Sequence, residues 1–128
     1  RITVMFNGVS TNGTNQLLLQ IGTSGGVVAT GYVGGGQQIA GSPTSSTSAT
    51  GFLAFQAVAA ANTHTGIFVI QNITGNTWVF SGSASRQDGV MGLSAGSLAL
   101  AAVLDRVRIT TVGGTDAFDA GTVNILWE

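Results

Sequence analysis

The chain has little charge, no cysteine and a single proline. Only 7% of its 128 residues are charged, against about a quarter in an ordinary soluble domain. The formal net charge is -1, so the sequence has neither the basic footprint of a nucleic-acid-binding protein nor an acidic tail. Without cysteine, neither a disulfide framework nor a thiolate metal site can form. The sequence therefore predicts no nucleic-acid partner. We expect the fold to be stabilised by packing, including packing between chains.

Long hydrophobic runs and nucleotide motifs are missing as well. The longest strongly apolar stretch, Leu98 to Leu104, is far shorter than the roughly 20 residues of a membrane helix, so we expect no membrane insertion. The triplet Gly34 to Gly36 lacks the spacing and the following lysine of a phosphate-binding loop. The sequence therefore predicts no cofactor. The chain starts at Arg1 without the features of a leader, and we expect it to be the C-terminal part of a longer protein.

What the chain does contain is 20 glycines and a dominant period-two pattern. Alternating apolar residues from Arg1 to Gly22, with Asn12-Gly13 between the two alternating segments, predict a hairpin with an extended loop. Residues 34–50 are almost free of apolar side chains and predict a long loop. Helix and strand compete over residues 51–61, where we favour a strand because its neighbours are strands.

The second half of the chain repeats the pattern. His64 to Ile73 and Asn76 to Ser83 predict a hairpin turning at Thr74-Gly75, and its apolar residues on both faces predict a sandwich centre on one side and a subunit contact on the other. Ser97 to Val103 and Arg106 to Val112 predict another pair. A last alternating strand follows, through Trp127. Together these segments predict one all-β domain over residues 1–128, an antiparallel, jelly-roll-like β-sandwich of about ten short strands.

Catalytic and metal-binding patterns are weak. Ser24 lies in a G-x-S-x-G match, but a strand follows it rather than a helix, and no acid separates it from the only histidine, His64. A single histidine without cysteine cannot form a conventional zinc site. Asp116 and Asp119 could offer oxygen ligands to calcium, but Asp and Gly also make turns, which is the interpretation we favour. We therefore predict no catalytic residue and no metal.

Several residues are candidates for ligand binding. The aromatic ring of Tyr32, beside the predicted loop, could stack on a sugar, and the polar triplet Arg86, Gln87 and Asp88 lies in a predicted turn. His64, at a strand start, is a further candidate. We predict these five as ligand-binding residues because loops usually carry such groups. The alternative for each is a structural role.

The few charges concentrate on one predicted strand, at Asp105, Arg106 and Arg108. We predict that these three residues lie at an oligomer interface, where an arginine contacts a carboxylate of another subunit with two hydrogen bonds. Asp105, Asp116, Asp119 and Glu128 are the candidate acceptors. The alternative is an exposed ion pair that contributes about 0 to 1 kcal/mol to stability.

Short motifs along the chain resemble the C-terminal domain of bacteriophage and prophage tail fibre proteins. The matching stretches are Leu104 to Val112, Gly114 to Asp116, Phe118 to Gly121, Val123 to Ile125, Arg1 to Val4, Gly8 to Ser10 and Gly75 to Val79. The resemblance implies a trimeric all-β tip at the distal end of a fibre on the virion. It names no catalytic or binding residue.

Three functions follow as expectations. The first is a non-catalytic receptor-binding domain that attaches the fibre to a bacterial surface polysaccharide or lipopolysaccharide. The second is a trimerisation or assembly domain without receptor contact. The third, a depolymerase or esterase, is disfavoured because acids and histidine are scarce.

Overall fold

A computed structural model describes residues 1–56 and 58–128 of the chain. Eleven strands and one 3-10 turn at Val112–Gly114 occur in these residues. None of the described residues forms a helix long and apolar enough to cross a membrane. The strands are β1 (Ile2–Thr11), β2 (Leu17–Thr23), β3 (Gly26–Val27), β4 (Val33–Ile39), β5 (Thr44–Thr47), β6 (Phe52–Phe55), β7 (His64–Thr74), β8 (Thr77–Arg86), β9 (Met91–Ala99), β10 (Arg106–Thr111) and β11 (Phe118–Trp127).

The strands form two antiparallel sheets, which confirms the predicted all-β sandwich. The seven-stranded sheet has the order β11-β1-β7-β8-β9-β4-β5. The four-stranded sheet has the order β10-β2-β3, and β6 also pairs with β2. The predicted hairpin of β7 and β8 is confirmed, with Gly75 in the left-handed region at φ 52°.

Three predicted connections are wrong. The alternating segments of residues 1–22 do not form a hairpin: β1 pairs with β7 and β11, whereas β2 lies in the other sheet. β9 and β10 likewise belong to different sheets. The predicted long loop over residues 34–50 contains the paired strands β4 and β5. Of the predicted strand over residues 51–61, only β6 is a strand, and position 57 lies outside the described residues.

The core lies between the sheets and contains a ladder of aromatic rings. Phe52 and Phe80 stack with centroids 4.8 Å apart, and Phe68 stacks on Phe80 at 5.9 Å. These rings have room because glycines occupy facing positions of the seven-stranded sheet. A Cβ atom on Gly82 would lie 2.3 Å from Cδ1 of Phe68, and one on Gly92 would lie 2.8 Å from Cε2 of Phe55. Gly82 and Gly92 therefore leave the space that the Phe68 and Phe55 rings fill, as a close-packed interior requires.

Candidate functional site

Tyr32 and His64, predicted as ligand-binding residues, are core residues. Tyr32 is 4% exposed, and its ring packs edge-on against Phe52. The Tyr32 hydroxyl accepts a hydrogen bond from the Ile21 amide at 2.8 Å and donates one to the Val28 carbonyl at 2.9 Å. Burial raises the pKa of Tyr32 to about 12. The prediction that Tyr32 is exposed beside a loop is therefore wrong, since the core offers more contact to an aromatic ring than the surface does.

His64 is fully buried, not at the surface. Its ring lies 4.5 Å from the ring of Phe55, and its Nδ1 atom contacts the Val9 carbonyl oxygen at 3.1 Å. Ser24 is exposed in the turn between β2 and β3. The opposite burial of these two side chains gives no support to a serine nucleophile with a histidine base.

Arg86, Gln87 and Asp88 lie at the turn between β8 and β9. Arg86 donates two hydrogen bonds to Asp88, from Nε to Oδ1 at 2.8 Å and from Nη2 to Oδ2 at 2.5 Å, and these bonds lower the pKa of Asp88 to about 2. The Gln87 side chain accepts a hydrogen bond from the Thr63 amide and donates one to the Ala61 carbonyl. The triplet therefore joins this turn to the segment before β7. Its predicted ligand-binding role stays a prediction.

The three residues predicted for an oligomer interface lie at the end of the four-stranded sheet. Asp105 and Arg106 pair with each other at 2.6 Å and are both exposed, and this contact lowers the pKa of Asp105. Arg108 donates two hydrogen bonds to Oε1 of Gln20, one from Nε at 2.7 Å and one from Nη2. The carboxylate partner of Arg106 thus lies in the same chain, and the interface role of all three residues stays a prediction.

The two aspartates considered as metal ligands bind polar groups near the end of β1. Asp116 accepts hydrogen bonds from the amide and the side chain of Asn15, each at 2.8 Å, and Asp119 accepts one from the Ser10 hydroxyl. Neither aspartate belongs to a group of three or more potential metal ligands within residues 1–56 and 58–128. These contacts attach the loop after β1 to the segment that precedes β11.

The outer side of the seven-stranded sheet exposes apolar side chains. Strand register places on this side uncharged residues from neighbouring strands, many of them apolar. Leu93 is 48% exposed and Ile67 is 56% exposed, although both lie near the middle of the sheet. We call this surface the uncharged face and define it by Met5, Ile67, Ser83, Met91, Leu93, Gln37 and Ile39. Large apolar side chains side by side on an exposed face are typical of interaction sites.

The uncharged face has a shallow depression of about 520 Å³. Met5, Ile67 and Met91 line the depression together with the small residues Gly66 and Ser83. The apolar residues on both faces of β7 and β8 predicted a sandwich centre on one side and a subunit contact on the other. The core side is confirmed, since Phe68 is fully buried, whereas Ile67 on the other side is exposed and the subunit contact stays a prediction.

A second exposed apolar region lies on β11. Register with β1 places Val123 and Trp127 on the core side of the sheet, yet Val123 is 40% exposed and Trp127 is 52% exposed. The seven-stranded sheet is wider than the four-stranded sheet, and β11, at its edge, is largely uncovered. A long exposed edge strand with apolar side chains is a template for association.

Comparison with known proteins identifies no relative of this chain. No family model, no curated protein and no solved structure matches this chain.

Proposed function

We propose that this chain is a non-catalytic attachment domain that assembles as a homotrimer at the tip of a bacteriophage or prophage tail fibre. The observation that carries the proposal is the uncharged face. In a trimer this face packs against another subunit, and the four-stranded sheet stays open toward a bacterial surface glycan or lipopolysaccharide. The motifs from Leu104 to Ile125 that resemble tail fibre domains support the same assignment.

The size of the uncharged face supports a stable contact. The seven strands have between 4 and 11 residues and average about nine, so at a spacing of about 4.8 Å they make a surface of roughly 30 by 30 Å, or about 900 Å². A specific protein interface takes about 800 Å² from each partner. Charged residues are depleted at the centres of such interfaces, and every defining residue of the uncharged face is neutral.

A ring of three subunits needs two different surfaces on each chain. The uncharged face is the first. The exposed core side of β11, with Val123 and Trp127, is the second. A contact between these two surfaces closes into a ring of three when it rotates each subunit by one third of a turn, whereas a contact of the uncharged face with itself makes a dimer.

Light scattering on the purified chain at micromolar concentration tests the assembly. We expect a mass near three times the 12.8 kDa of one chain. Leu93→Asp and Ile67→Asp each place a carboxylate in the contact and should weaken association at least about 30-fold, since an unpaired buried charge costs about 2 to 5 kcal/mol. The matched control is Val103→Asp, at a 76% exposed position outside both sheets, which should leave the mass unchanged.

The outcomes are distinct. A wild-type chain with the mass of one subunit would contradict the assembly, as would an unchanged mass in folded Leu93→Asp and Ile67→Asp variants. Attachment is tested separately, by binding of the trimer to whole bacteria and to glycan arrays. A trimer that binds neither, and whose deletion abolishes fibre assembly, would leave the purely structural function.

A further inference from the structure

One arginine differs from the other three. Arg1 pairs with Glu128 at 3.4 Å, Arg86 with Asp88 at 2.5 Å and Arg106 with Asp105 at 2.6 Å. Arg108 has no ion pair with a carboxylate anywhere in residues 1–56 and 58–128. In a chain with only four basic residues, it is the one arginine whose charge no acidic side chain neutralises.

A buried glutamine holds the Arg108 guanidinium in place. Gln20 is 3% exposed, and its Nε2 atom donates a hydrogen bond to the Thr50 carbonyl at 2.6 Å. This bond orients Oε1 toward Arg108, where it accepts from Nε and Nη2. Nε and Nη2, the two donors of one guanidinium edge, therefore both donate to Oε1 of Gln20. The opposite edge, formed by Nη1 and the second hydrogen of Nη2, has no acceptor among the described residues and presents two parallel donors.

Arg108 lies on the wall of a cleft of about 390 Å³ on the outer side of the four-stranded sheet. Leu18 and Gln20 line this cleft and are both buried, while Thr110, Gly113 and Gly114 lie on β10 and in the 3-10 turn that follows it. None of the lining residues is acidic. The volume is within the range of small-molecule sites, about 300 to 1,000 Å³.

We propose that this cleft binds the carboxylate of an acidic sugar residue in a bacterial surface polysaccharide. The free edge of Arg108 donates two parallel hydrogen bonds to the carboxylate. The Thr110 hydroxyl and the backbone at Gly113 and Gly114, which no side chain covers, face the sugar hydroxyl groups. Gln20 is a positioning residue, because it acts on the ligand only through Arg108.

The site is complete within one chain, so carboxylate binding does not depend on trimer formation. The assignment to a polysaccharide rests on the proposed attachment function. The cleft also lies on the sheet opposite the uncharged face, so both surfaces can be occupied at the same time.

Nuclear magnetic resonance titration of the isotope-labelled full chain tests the site. The probe is methyl β-glucuronide, and the matched neutral probe is methyl β-glucoside, which has a hydroxymethyl group in place of the carboxylate. We expect the glucuronide to shift the Arg108 Nε, Gly113 and Gly114 signals with a dissociation constant on the order of 1 mM. The glucoside should bind at least about 10-fold more weakly, since hydrogen bonds to charged groups are the strong ones. Equal affinity for the two sugars, or for acetate and the glucuronide, would overturn the sugar-carboxylate assignment.

Three variants sharpen the test. Arg108→Gln removes the cation and should reduce glucuronide affinity at least about 10-fold, whereas Arg108→Lys keeps the charge, loses the paired donors and should bind with intermediate affinity. The matched control is Arg106→Gln, two residues away on the same strand and side but paired with Asp105, which should leave affinity unchanged. Equal losses in Arg106→Gln and Arg108→Gln would overturn the site and indicate a general charge effect.

Light scattering on the same variants separates this inference from the proposed assembly. We expect Arg108→Gln to keep the wild-type mass. A lower mass would overturn the cleft as a sugar site and place Arg108 in the subunit contact that the sequence predicts. A wild-type chain that is monomeric and still binds the glucuronide through Arg108 would contradict the trimer while supporting the cleft.

Discussion

The outer sides of the two sheets differ in what covers them. On the four-stranded sheet, Leu18 and Gln20 of β2 point away from the sandwich core, yet both are buried, and Gly51 lies close against both. On the seven-stranded sheet, Ile67 and Leu93 occupy the equivalent outward positions and stay exposed. The chain folds a loop over one sheet and leaves the other open.

The outer sides of the two sheets show that a chain with few charged residues can either cover the outer side of a sheet or leave it exposed. The four-stranded sheet buries a polar side chain there, Gln20, which donates a hydrogen bond to the Thr50 carbonyl and accepts hydrogen bonds from Arg108. The outer side of the seven-stranded sheet has apolar side chains and exposed polar ones such as Gln37, which need no partner within the chain. A buried polar group must find its hydrogen bonds in the fold, whereas an apolar face can find its contacts on another molecule.

The largest expected change in the free energy of unfolding comes from a substitution on the inner side of the seven-stranded sheet, compared with one on its outer side. Gly82→Ala places a methyl group 2.3 Å from Cδ1 of Phe68 and 2.8 Å from the Ile67 carbonyl oxygen. Overpacking of this kind costs about 3 kcal/mol, the upper part of its usual range. Ser83→Ala, one residue along on the outer side, should change the free energy of unfolding by less than about 0.5 kcal/mol. Urea denaturation at one fixed protein concentration measures both. Equal losses would mean that the outer side is packed as tightly as the core.

A smaller effect contrasts the same substitution on the two outer sides. Gln20→Leu removes the acceptor of Arg108 and the donor to the Thr50 carbonyl, and leaving such groups unpaired costs about 2 kcal/mol. Gln37→Leu, on the uncharged face, replaces an exposed side chain and should not lower the free energy of unfolding. Thermal and urea unfolding compare the two variants. A loss in Gln37→Leu as large as that in Gln20→Leu would remove the distinction between the two outer sides.

Strand alternation predicted much of this fold, but it did not predict which strands pair. Ile2, Val4 and Phe6 alternate in the same manner as Leu17, Leu19 and Ile21 because both sets face the core. Two strands with this alternation can be neighbours in a hairpin or lie in opposite sheets of a sandwich. Because the alternation of apolar residues is the same in both cases, it does not predict which arrangement forms. β1 and β2 lie opposite each other.

Strand β4 was missed because its side chains are small. Alternation is visible only where apolar residues mark the buried side, and β4 has glycine at positions 34 to 36. A Cβ atom on Gly36 would lie 3.1 Å from Cδ2 of Leu53, and one on Gly35 would lie 2.1 Å from the Ser46 carbonyl oxygen. Neighbouring residues fill the space of the missing side chains, and a single sequence does not reveal such neighbours.

Sequence reasoning singled out Arg108, the charged residue that lines the candidate cleft, but not its surroundings. The low charge of the chain directed attention to Arg106 and Arg108, and both side chains are exposed. The separate roles of the two arginines depend on Asp105, which is adjacent, and on Gln20, which is 88 positions away. Only the register of β10 with β2 brings Gln20 beside Arg108.

A still smaller effect concerns the side-chain hydrogen bonds at the edge of the four-stranded sheet. Tyr32→Phe removes bonds to the Ile21 amide and the Val28 carbonyl and should cost about 1 kcal/mol near neutral pH. Because burial raises the pKa of Tyr32 from 10.0 to about 12, the neutral phenol is favoured in the folded chain. Its contribution is therefore complete below pH 10 and is lost as the pH rises from 10 to about 12.

The alkaline transition can be assigned to one residue, because the chain has a single tyrosine and its four basic residues are all arginines. Ultraviolet absorbance of the phenolate follows Tyr32 directly, and unfolding at each pH follows stability. The loss above pH 10 should be smaller in Tyr32→Phe than in the wild type. A Tyr32 midpoint near 10 in the folded protein would show that the hydroxyl is open to water and would contradict its place in the core.

The smallest expected effect compares the two arginines of β10. Arg106→Gln breaks an exposed ion pair with Asp105, and exposed pairs of this kind rarely contribute measurably to stability. We therefore expect the same urea midpoint as in the wild type at neutral pH. The contact lowers the pKa of Asp105, so any contribution is present above the ordinary pKa of an aspartate and is lost as the pH falls. A clear drop in the midpoint of Arg106→Gln that high salt does not reduce would mean that Asp105 and Arg106 are shielded from water in the assembled protein, which is the interface role that the sequence predicts for them.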